Sequence, residues 1–209
     1  MDGERWMKKF YEKILRWKKN KPSCNNVTSN GNELICNARE NVKNDYLHVL
    51  FHPLKQKLVK KEVYSLVNVK KSSILDDYID FLSEHNGMLL YCGAISIFGV
   101  TDNNSVNEFI EPFSIKRANS NDFFNKNNGF VYIGNMMYYD YSNINIYLDP
   151  NSEKVLLISK RNLIKEFVSL NDFLNHIIEF YNSKYDEKGI NLNYNDRKKY
   201  VYENTQLYY

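Results

Sequence analysis

The chain has 209 residues, 43% hydrophobic and 25% charged, with a formal net charge of +3, a composition unlike that of disordered chains. A chain of this length can form one domain with an additional segment. Its longest apolar run, residues 88–98, is too short to span a bilayer, and its first residues contain no signal-peptide core, so we expect a cytoplasmic protein.

The first third of the chain is basic. Residues 1–71 contain 16 Lys or Arg and 7 Asp or Glu, whereas residues 72–209 contain 12 and 18. Four large apolar side chains are spaced four, four and three residues apart: Trp6, Phe10, Ile14 and Trp17. This spacing predicts an amphipathic helix over residues 4–19. Its other faces carry basic residues that include Arg5, Lys8, Lys9, Lys13 and Arg16.

Three interpretations of this basic helix remain open. Its apolar stripe docks onto the sheet of the protein, or the helix lies on an anionic membrane or a nucleic acid, or it contacts an acidic partner. The two tryptophans lie on the apolar stripe and not among the basic residues, which disfavours their use as stacking platforms for bases.

The segment that follows is expected to be irregular and then extended. Pro22 and the polar residues 23–32 predict a loop. Residues 46–52 alternate loosely between apolar and polar and end at Pro53, which favours an extended segment. Residues 55–69 are ambiguous, and we interpret them as mostly helical.

The clearest helix in the sequence lies between residues 72 and 87. Ser72 and Ser73 offer an N-cap, and Asn86-Gly87 supplies a left-handed stop. Apolar residues recur between them at helical spacing: Leu75, Tyr78, Ile79 and Leu82. The outer face carries carboxylates: Asp76, Asp77, Asp80 and Glu84.

Strand-like patterns dominate after Gly87. They cover residues 89–100, 130–133, 144–148 and 155–158, with a polar loop after the first. The turn at residues 149–152 predicts an antiparallel hairpin between the last two. Ser169 opens a final helix that buries Phe173 and Ile177. The expected fold class is therefore α+β, a single domain with a mostly antiparallel sheet flanked by helices, plus the basic N-terminal helix.

Three segments resemble the signature of the SUKH superfamily (Smi/Knr-type domains). Residues 74–87 resemble its helix that ends in Phe-Leu and Asn-Gly, residues 130–134 its strand ending in Ile-Gly, and residues 167–174 the opening of its last helix. Leu75 departs from the Pro usual in the family, and Met88 from a second Gly. The resemblance covers residues 58–182, and we divide the chain into an extension (1–57), a SUKH-like domain (58–190) and a tail (191–209).

The resemblance implies a non-enzymatic domain that acts as a platform for protein binding. Many bacterial SUKH members resemble immunity proteins that neutralise a cognate secreted toxin, often a nuclease, and yeast relatives resemble regulators of cell-wall synthesis. It therefore implies a protein partner and no cofactor.

The residues themselves carry little catalytic or metal-binding signal. The sequence contains no phosphate loop, dinucleotide fingerprint, HExxH or GxSxG motif, and its three cysteines form no CxxC pair. His48 and His52 lie four residues apart, but Pro53 argues against a helix that would join them as metal ligands. Cys92 with His85 or His176 is a conceivable nucleophile and base, yet Cys92 lies in an apolar run typical of buried cysteines. We predict no catalytic residue and no metal site.

The row of carboxylates is the strongest candidate for a binding site. Asp76, Asp80 and Glu84 are spaced four residues apart and fall on one stripe of the helix, with Asp77 beside it. A solvated face and a partner-binding surface both fit this pattern. In the second interpretation the carboxylates imitate nucleic-acid phosphates and occupy a basic surface on a toxin. The sequence thus predicts a toxin-neutralising binding module, with a nucleic-acid or anionic-membrane adaptor acting through residues 5–19 as the alternative.

Overall fold

The computed structural model describes residues 26–29, 31–36, 46–67, 71–91, 93–101, 111–121, 123–138 and 141–184. These residues form nine strands and five helices. The strands are β1 (Asn26–Val27), β2 (Glu33–Cys36), β3 (Tyr46–Leu50), β4 (Met88–Leu90), β5 (Ile95–Ile97), β6 (Val131–Tyr138), β7 (Tyr141–Asp149), β8 (Lys154–Ser159) and β9 (Asn162–Phe167). The helices are α1 (Gln56–Tyr64), α2 (Ser73–Glu84), α3 (Ile115–Asn121), α4 (Phe123–Asn128) and α5 (Leu170–Asn182).

All nine strands belong to one sheet, and their order in the sheet is their order in the chain. Each strand pairs antiparallel with the next. Helices α1 and α2 connect β3 to β4, α3 and α4 lie between β5 and β6, and α5 follows β9. The α+β class and the antiparallel sheet expected from the sequence are therefore confirmed. The predicted basic helix and the predicted tail lie outside the described residues.

The main core lies between the helices and one face of the sheet. We call this side of the sheet the first face. Every buried apolar residue of α1, α2, α3 and α5 belongs to this core. The sheet contributes alternate residues of its strands, for example Leu50 of β3, Ile146 of β7 and Leu157 of β8. Since burying one such side chain contributes about 1.5–3 kcal/mol, this layer is the main source of stability.

The opposite, second face of the sheet carries two smaller apolar clusters. One consists of Leu34, Val49 and Phe51, with the partly buried Leu89 packed against it. The other consists of Tyr147, Leu156 and Ile158, with aromatic neighbours Phe124, Phe130 and Tyr132. Those that lie on strands alternate with residues of the main core, which places them on the other side of the sheet.

Two sequence segments that carry the family resemblance are explained by the architecture. The Asn86 side chain donates to the carbonyl oxygen of Val100 and accepts from its N–H, both at 2.7 Å. Gly87 has a φ of +88°, and a Cβ there would lie 2.7 Å from the carbonyl oxygen of Ile97. At Gly134 a Cβ would lie 2.2 Å from the carbonyl oxygen of Ser96. These residues join β4, β5 and β6. The resemblance that they carry therefore concerns the fold and does not identify a binding site.

The ends of α2 differ in detail from the sequence prediction. The helix ends at Glu84, and His85 is already extended, so the left-handed residue Gly87 comes after the helix end. Ser72 occupies the N-cap position, but its side chain makes no capping hydrogen bond. By contrast, Ser169, which the sequence predicts to open the last helix, does cap α5, since its Oγ accepts from the N–H of Asp172 at 3.0 Å.

Other elements were incompletely predicted from the sequence. The single strand expected over 89–100 is two strands separated by a turn, and the polar loop contains the short helices α3 and α4. Strand β9 was missed because its hairpin turn has no Gly or Asn. Lys160 and Arg161 both have positive φ, 49° and 71°, as in the primed turns that normally need those residues.

Part of the segment assigned to the N-terminal extension belongs to the sheet. The extended segment expected over 46–52 is strand β3, and β1 and β2 lie before it. Ile35 and Leu50 are buried in the main core with residues of α1 and α2. The sheet therefore begins well before residue 58.

We expect Asn86→Ala to lower the free energy of unfolding by about 2–4 kcal/mol, because it leaves the N–H and C=O of Val100 buried without partners. Urea denaturation followed by circular dichroism measures this loss. Asn151→Ala, at an exposed turn position, is the matched control and should change stability little. A loss in the Asn86 variant no greater than in the control would contradict the proposed role of the amide.

Candidate partner-binding surface on helix α2

Helix α2 separates its apolar and acidic residues sharply. Its buried residues are Ile74, Leu75, Tyr78, Ile79, Phe81 and Leu82. The hydroxyl of Tyr78 donates to the carbonyl oxygen of Phe98 at 2.6 Å, which fixes the helix against the sheet connection. The carboxylates occupy the remaining positions, with Asp76 and Asp77 partly exposed and Asp80 and Glu84 exposed.

The N-terminus of α2 is capped by a residue from a distant part of the chain. Glu153, in the turn between β7 and β8, accepts from the N–H of Ser73 at 3.2 Å and from the N–H of Ile74 at 2.8 Å. It also accepts from the hydroxyls of Ser73 at 2.8 Å and Ser72 at 3.2 Å. A carboxylate at this end of a helix satisfies free N–H groups and interacts favourably with the helix dipole.

The hydrogen bonds to Glu153 determine its acidity. Desolvation acts to raise the pKa of this carboxyl, but the bonds from Ile74, Ser73 and Ser72 outweigh it, and the pKa is lowered. Sequence analysis missed Glu153 because nothing near residue 153 indicates that it meets residues 72–74. Only the folding of the β7–β8 hairpin beside α2 brings them together.

Helix α1 engages two of the three carboxylates predicted to form one exposed stripe. The hydroxyl of Tyr64 donates to Asp76 at 2.9 Å, and the ammonium of Lys60 lies 3.9 Å from the same carboxylate. Gln56 donates to Asp80 at 2.8 Å. These contacts lie at the surface and contribute little stability. They do place the exposed lysines of α1 along one side of the acidic row.

Asp77 differs from the other predicted residues. Burial raises the pKa of its carboxyl, and the negative charges of three neighbours raise it further: Asp80, Asp76 and Glu153. In the part of the chain that the structure describes, Asp77 has neither a hydrogen bond nor an ion pair. Its charge is therefore held half-buried among like charges, which costs folding free energy.

We call Asp76, Asp77, Asp80, Glu84 and Glu153 the acidic surface. Asp76, Asp80 and Glu153 lie near Asp77 in the N-terminal part of α2, whereas Glu84 is the last residue of the helix, at its other end. The five basic residues predicted as an alternative site lie outside the described residues: Arg5, Lys8, Lys9, Lys13 and Arg16.

The histidines considered at the sequence level do not converge. His48 is buried in β3, where burial lowers its pKa to about 3 and its Nδ1 accepts from the N–H of Tyr91 at 3.3 Å. His52 is exposed beyond the end of that strand. His176 lies on α5, with Nε2 3.2 Å from the ammonium of Lys165. Cys92 lies outside the described residues. Those residues contain no group of three His, Cys, Asp or Glu side chains placed to hold a metal ion.

Comparisons with known proteins leave the family unassigned. No protein-family model, curated protein or solved structure matches this chain. None of the described helices is long and apolar enough to cross a membrane.

We expect Glu153→Gln to lower the free energy of unfolding at pH 7 by about 1 kcal/mol, because it removes the charge that caps α2. The lowered pKa means that this contribution is complete above the ordinary glutamate range, near pH 4.3, and is lost as the pH falls below it. Urea denaturation between pH 3 and pH 7 should therefore show the two proteins converging in acid. A difference that is constant across this range would contradict the capping role.

We expect Asp77→Asn to have the opposite sign and to raise the free energy of unfolding at pH 7 by about 0.5 kcal/mol, since solvent screens a half-buried charge. A raised pKa means that the ionised carboxyl destabilises the fold only as the pH rises above the ordinary aspartate value, near 3.9. Thermal denaturation should show a gain at pH 7 that disappears near pH 3. Glu84→Gln, at an exposed position of the same helix, should give a smaller gain, and equal gains would refute the burial argument.

Proposed function

We propose that this protein is a non-enzymatic binding module of the SUKH type and that it neutralises a cognate bacterial toxin by direct binding in the cytoplasm. The observation that carries this proposal is the charge of Asp77. It is half-buried and surrounded by three carboxylates, and no described residue neutralises it. A charge that costs stability and makes no internal contact is typical of a functional surface.

The chemistry of the acidic surface indicates the chemistry of the partner. Closely spaced carboxylates attract a surface rich in Arg and Lys, and they accelerate its association at low salt. Nucleic-acid-binding surfaces have this composition, so a toxin that is a nuclease fits the site. The inhibitor would act by occupying the position of the phosphates, and this requires no catalytic group of its own.

The partner is expected to approach the side of α2 that lies away from α1. Asp76 and Asp80 already contact side chains of α1, and exposed Lys57, Lys60 and Lys61 would repel a basic surface there. Asp77 and Glu84 have no such competitor among the described hydrogen bonds and ion pairs. We therefore assign the main contact to these two carboxylates.

The sequence resemblance supports the same class of function. The order of helix pair, strands and closing helix over residues 56–182 is compatible with the arrangement that the SUKH resemblance implies. Asn86, Gly87 and Gly134 serve the architecture, so the resemblance bears on the fold, and the inhibitory role depends on the acidic surface. The adaptor alternative concerns residues outside the described part of the chain and stays a prediction.

The proposal is tested with a toxin encoded next to this protein. Co-expression should protect the host cell from the toxin, and the purified proteins should form a stoichiometric complex whose affinity falls with salt. We expect Asp77→Lys with Glu84→Lys to weaken the complex by about tenfold or more, because both changes place like charges against a basic surface. Titration calorimetry or surface plasmon resonance measures the change.

The matched control is Glu166→Lys, which reverses an exposed charge of β9 that pairs with Lys154 on the second face of the sheet, away from α2. It should leave the affinity within about twofold, as is typical for charges outside an interface. If the doubly reversed variant binds as tightly as the unmodified protein, the acidic surface is not the interface. If no neighbouring toxin is bound or inhibited, the proposed function itself is rejected.

A further inference from the structure

Two Asn-Gly dipeptides lie in the described part of the chain, and the fold surrounds them differently. Asn86-Gly87 follows helix α2, and Asn128-Gly129 stands at the end of helix α4. A third dipeptide begins at residue 30, which lies outside the described residues. An asparagine side chain cyclises most readily when glycine follows it, because glycine has no Cβ to hinder attack by its backbone nitrogen. The surroundings of each dipeptide then decide whether it can react.

The fold holds Asn86-Gly87 in an unreactive state. Both residues are buried, and both ends of the Asn86 amide are hydrogen-bonded to Val100. The N–H of Gly87, whose nitrogen would have to attack, donates to the carbonyl oxygen of His85 at 2.6 Å. Strand β4 begins at the next residue, so the backbone here cannot rotate while the sheet stays closed. Cyclisation of Asn86 therefore requires this part of the sheet to unfold.

Asn128-Gly129 is exposed and weakly held. The Asn128 side chain donates to the carbonyl oxygen of Phe124 at 2.8 Å, a hydrogen bond that lies at the surface and closes the last turn of α4. A Cβ added at Gly129 would meet one neighbour, Asn151 Nδ2 at 3.7 Å, so the backbone here has free space around it. Helix α4 has six residues and Asn128 is the last of them. So short a helix frays at its end, and fraying gives the dipeptide the freedom that cyclisation needs.

We propose that Asn128 is a site of spontaneous deamidation and that the fold protects Asn86, which lies in the same dipeptide. The backbone nitrogen of Gly129 attacks Cγ of Asn128, and the new N–Cγ bond closes a succinimide ring. The Cγ–Nδ2 bond breaks, and Nδ2 leaves as ammonia with the proton that the Gly129 nitrogen has lost. Water then opens the ring at either of its two carbonyl carbons. The product is an aspartate or an isoaspartate at position 128.

This modification loosens α4 from the second face of the sheet. A carboxylate at position 128 cannot donate to the carbonyl oxygen of Phe124, so the bond that closes the last turn is lost. An isoaspartyl linkage also lengthens the backbone by one atom two residues before Phe130, which leads into β6. The rings of Phe124 and Phe130 pack on Tyr147, with centroids 5.6 and 6.2 Å away. The modification therefore acts on this aromatic cluster and is independent of the function proposed for α2.

Incubation of the full chain at mildly alkaline pH, followed by peptide mass spectrometry, tests the proposal at each dipeptide separately. In the folded chain we expect Asn128 to convert about tenfold faster than Asn86 or more, because only Asn86 has to wait for the sheet to open. In the urea-unfolded chain the two should convert at similar rates, since the dipeptides are identical. Asn128→Gln should abolish the conversion at this position. Equal rates in the folded chain, or conversion at Asn128 only after unfolding, would overturn the proposal.

The effect on α4 is tested with a variant that carries the aspartate product from the start. Asn128→Asp should lower Tm by about 2 °C, because it removes the hydrogen bond to Phe124. Asn127→Asp is the matched control, since it adds the same charge at the neighbouring exposed position of α4 and should leave Tm unchanged. Thermal denaturation followed by circular dichroism measures both. Equal Tm values for the two variants would refute the loosening of α4.

Discussion

The hydrogen bonds between Glu153 and the first turn of α2 are the interaction on which the acidic end of this helix depends. It joins the β7–β8 hairpin to the helix layer through four hydrogen bonds from residues 72–74. Glu153 makes them from a backbone with a φ of 57°, a conformation that costs a non-glycine residue about 1–2 kcal/mol. The buried apolar residues of α2 pack the helix on the sheet, and the contact with Glu153 fixes its N-terminal end beside the β7–β8 hairpin.

The same carboxylate links the stability of α2 to the acidity of Asp77. Glu153 stabilises α2 by capping it, and its negative charge also contributes to the raised pKa of Asp77. Asp76, Asp77 and Glu153 thus place negative charge at the N-terminal end of the helix, where the dipole favours it, whereas Glu84 lies at the C-terminal end. Asp77, which gains no internal partner, bears the electrostatic cost. A basic partner would remove that cost on binding, and this gives the complex a physical driving force beyond simple charge attraction.

The two faces of the sheet have different roles. The first face binds the helices and supports the acidic surface, while the second carries the aromatic cluster around Tyr147 and the apolar cluster beside Leu89. A sheet buried on both faces explains why strand β8 reads as a continuous apolar run from Val155 to Ile158.

Elements whose signals are local could be predicted from the sequence. Helix α2 follows from the spacing of Leu75, Tyr78 and Leu82, and α5 from its Ser169 cap. Strand β9 was not predictable, because a primed turn made of Lys160 and Arg161 lacks the residues that normally mark one. The site shows the same division. The row of aspartates is visible in the sequence. The contact of Glu153 with α2, the contacts of Asp76 and Asp80 with α1 and the partial burial of Asp77 are visible only in the tertiary structure. They depend on neighbours that are distant in sequence.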